Sequence, residues 1–127
     1  MKDACPCGRG ARLEACCGRY LGTGAPAPAP DAESLMRSRY TAFVRGDVAH
    51  LLATWHASHR PATLELEEAV KWLGLEVKRH TPIDDTHAEV EFVARSRVRG
   101  RGQRLHERSR FVREDGCWFY VDGDILN

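Results

Sequence analysis

The sequence has no apolar run approaching the ~18 residues a membrane-spanning helix requires, which excludes an integral helical membrane protein. No apolar stretch follows the charges of Met1-Lys2-Asp3, so a secretory leader is not expected and the cytoplasm is the expected compartment. An excess of one charge is missing too. Nineteen basic residues against 18 acidic ones leave +1, so no global field draws the chain to nucleic acid or an anionic membrane. The 127 residues are too few for two full domains, but one core can hide roughly two thirds of the unfolded chain's surface. With 43% apolar and 29% charged residues, the composition is that of a globular protein.

Three parts follow one another along the chain. Residues 1–21 hold four of the five cysteines and too little apolar content to fold unaided. Residues 22–30 form an Ala/Pro linker whose alternating prolines favour an extended spacer. Residues 31–127 read as one α+β domain, helices first and an antiparallel sheet after them, with the helices packed on one face. Asp31 caps a helix with Leu35, Met36, Tyr40, Phe43 and Val44 on one stripe, stopped by Gly46. Asp47 caps a second, carrying Val48, Leu51, Leu52 and Trp55. The spacing predicts a third from Thr63 to Gly74, with Leu66, Val70 and Leu73 inside and Glu65, Glu67, Glu68 and Lys71 outside.

From Leu75 the period becomes two. Leu75 and Val77 open a strand, and Pro82 to Asp85 make a turn. From His87 to Arg99, Val90, Phe92, Ala94, Ser96 and Val98 face one way, and Glu91, Val93, Arg95, Arg97 and Arg99 the other. Gly100-Arg101-Gly102 signals a hairpin. Strands from Arg104 to Arg113 and from Cys117 to Asp122 complete the sheet around a turn at Glu114-Asp115-Gly116.

Cys5-x-Cys7 and Cys16-Cys17 put four thiols within thirteen residues of a chain with no secretory signal, which points to a metal rather than disulfides. Zinc suits the set: tetrahedral, redox-inert and thiolate-loving. In a segment almost without a core, the ion would be the fold. All four positions are filled by protein, so the expectation is one structural zinc ion held by Cys5, Cys7, Cys16 and Cys17. Opportunistic disulfides or free thiols, and a zinc-linked redox switch, are the alternatives. Cys117 stands apart on a strand and reads as a buried thiol.

These residues resemble a known pattern. Cys5-Pro6-Cys7-Gly8-x-Gly10 followed by Cys16-Cys17-Gly18 is similar to the SEC-C zinc motif, with Arg9 where serine is usual and Leu13 where an aromatic is usual. Leu35 to Tyr40, Thr54-Trp55-His56, Glu107 to Phe111 and Trp118 to Gly123 resemble, in order, motifs of the bacterial YchJ family. That resemblance implies a cystatin-like domain of the nuclear-transport-factor type, helices wrapped by a curved antiparallel sheet into a cone with a cavity. It implies fold and metal more strongly than activity.

Within the strand from Arg104, Leu105, Glu107, Ser109 and Phe111 share a face that is apolar at both ends and therefore inward. Glu107 is thereby placed inside, where a carboxylate needs a partner. Arg37, Arg39 or His56 could supply one. In the last strand Trp118, Tyr120 and Asp122 share a face, and the pattern leaves open whether that face is the inner one. Arg37, Tyr40, Trp55, His56, Glu107, Ser109, Trp118, Tyr120 and Asp122 are the candidates for a pocket, set against a packed core in which Glu107 pairs with an arginine. His50, His59, His80, His87 and His106 follow no metal or triad spacing and read as solvated surface.

Between Arg95 and Arg113 there are eight arginines against one acid, Glu107. Arg95, Arg97 and Arg99, joined across the hairpin by Arg108 and Arg110, are a candidate anion-binding face for RNA or the ribosome. No aromatics are interleaved for base stacking, so a solvated sheet face is the competing reading. Together the features favour a non-catalytic adaptor that engages a protein or ribosome/RNA partner, not a membrane. The alternative is a small-molecule binder, or an isomerase-like or dehydratase-like enzyme, using the cone; no catalytic residue is assigned.

Overall fold

In a computed structural model, residues 4–21 and 28–126 are described. Two short 3-10 turns, Leu13–Ala15 and Cys17–Arg19, lie among the N-terminal cysteines. Helix α1 (Ala32–Arg45) starts at Asp31, whose carboxylate accepts from the Ser34 amide at 2.7 Å, and ends at Gly46, at φ 72°. Helix α2 (Val48–Ala53) is capped the same way by Asp47, which accepts from the His50 amide at 3.0 Å. Among the described residues no helix is long and apolar enough to cross a membrane.

Four antiparallel strands follow in sheet order: β1 (Val70–Pro82), β2 (His87–Val98), β3 (Arg101–Glu114) and β4 (Cys117–Ile125). Two tight turns join the last three, at Arg99-Gly100 and Asp115-Gly116, and all four turn residues have positive φ. That is the conformation two-residue hairpins need. On β2, Val90, Phe92, Ala94 and Ser96 are buried, as the alternation implies; Val93 on the other face is buried as well. Ser109 and Phe111 of β3 are fully buried on the same inner side.

The third helix predicted from Thr63 does not form. Residues 63–67 have no regular secondary structure and Val70 already pairs with Val98 at the start of β1. Leu64, Leu66, Val70 and Trp72 fall on one face of a two-residue period, interrupted by Glu68, as readily as Leu66, Val70 and Leu73 fall on one face of a helix. Pairing with β2 decides between them, overriding the helix propensity of the glutamates. Leu73, expected inside, is 48% exposed, pushed out at an irregularity between Trp72 and Gly74. A second irregularity falls at Lys78. Trp72, Leu75, Val77 and His80 consequently all oppose inner residues of β2, although their spacing is uneven.

The segment after α2 runs along β4: the Tyr120 amide donates to the Thr54 carbonyl at 2.8 Å and the His56 amide to the Tyr120 carbonyl at 2.7 Å. This covers part of the sheet's outer edge. Of the expected linker, residues 22–27 lie outside the described residues, while Ala29 is buried against the main core. Residues 4–21 pack directly on the domain. Their cysteines and Leu21 share a hydrophobic cluster with Ala42, Leu51, Leu64, Leu66 and Leu75.

Ser38 and His50 join the two helices. The Ser38 hydroxyl donates to the Leu35 carbonyl at 2.7 Å and lies 3.0 Å from His50 Nε2. Burial pulls the His50 imidazole down to about 4, with Arg39 acting in the same direction and Asp47 against it. Below pH ~6.5 the unfolded chain therefore binds a proton that the folded chain refuses, and stability falls as pH drops toward 4. The loss is at most about 3 kcal/mol, reduced by solvent screening of the partly exposed ring. His50→Gln should flatten this acid limb in urea titrations at pH 7.5 and 5; an unchanged limb would rule the imidazole out as its source.

Candidate functional site

The cysteine loop is shaped by its backbone. The Cys5 amide donates to the Ala11 carbonyl at 2.9 Å, and Gly8, at φ 81°, turns the chain between the two cysteine pairs. Gly18 sits so close to the Leu13 carbonyl that a Cβ would lie 2.7 Å from its oxygen. The outcome is that all four sulfur atoms lie within 4.8 Å of one another, each cysteine buried. Cys7 Sγ and Cys16 Sγ are 3.6 Å apart. A disulfide would bring sulfurs to ~2.05 Å, whereas a tetrahedron of ~2.3 Å metal–sulfur bonds has edges of about 3.8 Å. The cluster has the second geometry, and all four thiols are free.

Electrostatics agree. Hydrogen bonding from Cys17, helped by the other thiols and the Arg9 backbone, pulls Cys7 down to about 4. Burial and the Cys7 charge push Cys16 up to about 11, and the hydrogen bond to Cys7 together with burial pushes Cys17 up further. A thiolate at Cys7 is welcome; a further negative charge on Cys16 or Cys17 is opposed. A divalent cation removes that opposition, so Cys5, Cys7, Cys16 and Cys17 could hold a metal ion.

Helix α1 is the floor of this site and the roof of another. One stripe, Glu33, Ser34, Arg37 and Thr41, faces the cysteine loop. Arg37 donates to the Cys7 carbonyl at 2.8 Å and to Glu33 at 2.9 Å, Arg9 reaches Ser34 and Glu33, and Thr41 Oγ1 is 3.6 Å from Cys5 Sγ. The adjoining stripe, Met36, Arg39, Tyr40 and Phe43, lines a cavity of about 260 Å³. Trp55, Trp72, Phe92, Ala94, Leu105, Glu107, Ser109 and Tyr120 complete its wall.

Two charged groups enter this apolar cavity. Arg39, 4% exposed, donates from Nη1 to the Leu51 carbonyl at 2.8 Å and the Thr54 hydroxyl at 2.7 Å. Its guanidinium lies 4.6 Å from the Tyr120 ring centre and 5.4 Å from that of Trp55. Burial pulls it down to about 10, which still leaves it charged at neutral pH. Glu107 Oε2 accepts from the Ser109 hydroxyl at 2.5 Å and from Tyr120 at 3.3 Å. Burial and the Glu107 charge push the Tyr120 phenol up to about 12, so it remains a donor.

Gly123 leaves room for this carboxylate: a Cβ there would collide with Glu107 Oε2 and come within 3.0 Å of the Arg108 carbonyl. Gly123→Ala should displace Glu107, break its bond to Ser109 and cost about 1 kcal/mol, measurable by denaturant unfolding. Equal stability of variant and parent would show that the carboxylate is not held against this glycine.

Tyr40, Trp55, Glu107, Ser109 and Tyr120 thus share one cavity, and four expected residues lie elsewhere. Arg37 serves the cysteine loop. His56 binds Glu114 at 2.7 Å and Ser58 at 2.7 Å. Trp118 lines a separate hollow of about 340 Å³ with Tyr20, Pro28, Ala29 and His50. Asp122 is turned outward. Phe111 pairs with Tyr120 but Arg110 with Asp122, so Val121 is an extra residue and the strand changes face there. The Trp55 indole donates to the Val121 carbonyl at 3.3 Å, and Asp122 meets Arg110 Nε at 2.6 Å. Arg39 could have been preferred to Arg37 from sequence, since it is the charge that falls among Met36, Tyr40 and Phe43 on the apolar stripe.

The arginine face divides as well. Arg95 and Arg97 are exposed, and Arg95 pairs with Arg104, but Arg108 and Arg110 stand opposite Glu91 and Glu89. Arg110 is also paired with Asp122 and Asp124, and Arg99, in the turn, lies 3.6 Å from Glu67. The five do not form one stripe, because the antiparallel register places acids beside two of them.

Against known proteins, the family described as "YchJ, middle NTF2-like domain" matches residues 31–123. The chain belongs to the YchJ family. UPF0225 proteins of a Polaromonas species and of Methylibium petroleiphilum are each 62% identical to it, over 94% and 95% of this chain and 91% and 88% of theirs. Among solved structures, a SEC-C motif containing protein from Rhodopseudomonas palustris matches with a TM-score of 0.84 at 30% identity, covering 100% of both chains. Another, from Psychrobacter arcticus, matches at 0.78 and 29%, over 97% of this chain and 82% of its own. This YchJ protein therefore shares its fold with two solved SEC-C motif containing proteins.

Proposed function

We propose that this YchJ protein holds one structural zinc ion in its cysteine loop and binds a small molecule in the cone. An all-sulfur, four-coordinate donor set suits zinc, and with every position filled by protein it offers no open site for chemistry. Buried free thiols of this kind persist in a reducing cytoplasm, the compartment we assign. The observation that carries the reading is the double use of α1: residues 33, 34, 37 and 41 meet the cysteine loop, and residues 36, 39, 40 and 43 meet the cavity. The metal loop then braces the cavity's roof. An adaptor role has less support, because Arg9 and Arg37 tie the loop to the domain instead of leaving it free, and two arginines of the anion face are offset by acids.

Elemental analysis of protein purified without chelator should return one zinc per chain, and its absence would remove the metal half of the reading. Indole, a neutral apolar probe, should shift the NMR resonances of Ala94 and Leu105 in the parent, while Leu105 should stay unmoved in Ala94→Leu, which fills the cavity. No shift in the parent would remove the other half.

A further inference from the structure

Arg39 is bonded on one side only. Nη1 has two acceptors, whereas Nε and Nη2 have none among the described residues. No sealed-in side-chain nitrogen or oxygen lacks a partner there, so these two nitrogens are in contact with open space, and the space that Arg39 lines is the cavity. Nε and Nη2 together form the edge of a guanidinium that grips a carboxylate with two parallel hydrogen bonds. Its Cζ lies over the rings of Tyr120 and Trp55, which hold the charged group in place. Glu107 is similarly half used. Oε2 accepts from Ser109 and Tyr120, while Oε1 accepts from no described residue. Tyr120 stands between the two charges, its ring beneath the guanidinium and its hydroxyl on the carboxylate.

We propose that the cavity takes a compact aromatic carboxylate: the acid on Arg39 Nε and Nη2, the ring among Tyr40, Trp72 and Phe92, and a hydroxyl or amino group donating to Glu107 Oε1. This rests on the small-molecule reading above and names its ligand class. At about 260 Å³ the cavity is close to the lower end of the ~300–1,000 Å³ typical of ligand sites, which restricts it to a single ring with short substituents. An arginine buried with no carboxylate in contact costs free energy, since Glu107 acts on Arg39 only across Tyr120, and an anionic ligand supplies that contact.

The test is calorimetric and NMR titration of the zinc-loaded full chain with 4-hydroxyphenylacetate, phenylacetate, 4-hydroxyphenylacetamide and indole. The acid should bind at least about tenfold more tightly than its amide, since a charge-assisted pair is lost. Removing the ring hydroxyl should weaken binding severalfold in the parent but not in Glu107→Gln. Arg39→Lys keeps a charge yet loses the fork, and should erase most of the preference for acid over amide; its far-UV spectrum checks that it folds. If acid and amide bind equally, or Arg39→Lys keeps the preference, the carboxylate assignment fails while the small-molecule reading survives. If indole binds in the cavity and no acid does, it fails in the same way. If none of the four perturbs Ala94 and Leu105, both readings fall together.

Discussion

Stripping the proposed zinc with a chelator, or replacing Cys7 by serine, is expected to lower the thermal midpoint by about 10 °C or more. Structural zinc in small modules contributes roughly 10–16 kcal/mol of apparent binding free energy, and losing even about 3 kcal/mol of it would produce such a shift in a chain of this length. The reason lies in what residues 4–21 lack. Their buried apolar side chains are the four cysteines, Tyr20 and Leu21, and both 3-10 turns are three residues long. Without an ion, Cys16 and Cys17 keep their protons and nothing draws the sulfurs together. Leu51, Leu64, Leu66 and Leu75 then lose their cover. The sheet should keep its far-UV signature while the midpoint falls, and added zinc should restore the parent but not Cys7→Ser. A metal-free chain with the original midpoint would show that the loop is held by its packing alone.

Phe111→Ala should be the most damaging single change in the cone, at about 3–5 kcal/mol. Phe111 is 1% exposed and lies against Tyr120, the ring centres 5.8 Å apart in an edge-to-face arrangement. It also occupies the residue next to the strand irregularity, so its loss frees the position that aims Tyr120 into the cavity and Asp122 away from it. Tyr120→Phe is the control. It keeps the ring contact with Phe111, removes only the hydroxyl that donates to Glu107, and should cost about 1 kcal/mol. Denaturant midpoints at constant slope would separate the two effects; equal losses would mean that the hydroxyl, not the packing, holds this corner.

The residues that could be read from sequence are those whose role is local. Asp31 and Asp47 cap the helices because a short acid before an apolar stripe has an orphan amide within reach. Alternation between Leu105 and Phe111 places Glu107 and Ser109 inward. Arg37 and Arg39 cannot be told apart by residue type, yet two helical positions differ by about 200° in direction, and only the carbonyls of Cys7 and Leu51 show which way each is used. The false third helix has the same origin, since Leu66 and Val70 satisfy both periods and only β2 chooses between them.

By itself the sequence determined the cysteine cluster, the order of helices before strands, the hairpin turns and the inner face of β3, all of which depend on spacing within a few residues. The tertiary structure alone decided four things: the docking of the loop on α1, the fate of residues 63–73, the outward turn of Asp122 and the cancelling of Arg108 and Arg110 by neighbouring acids. Each joins residues far apart in the chain, or depends on one extra residue in a strand. Alternation carries no information about a partner strand's register, and an inserted residue reverses every side chain beyond it.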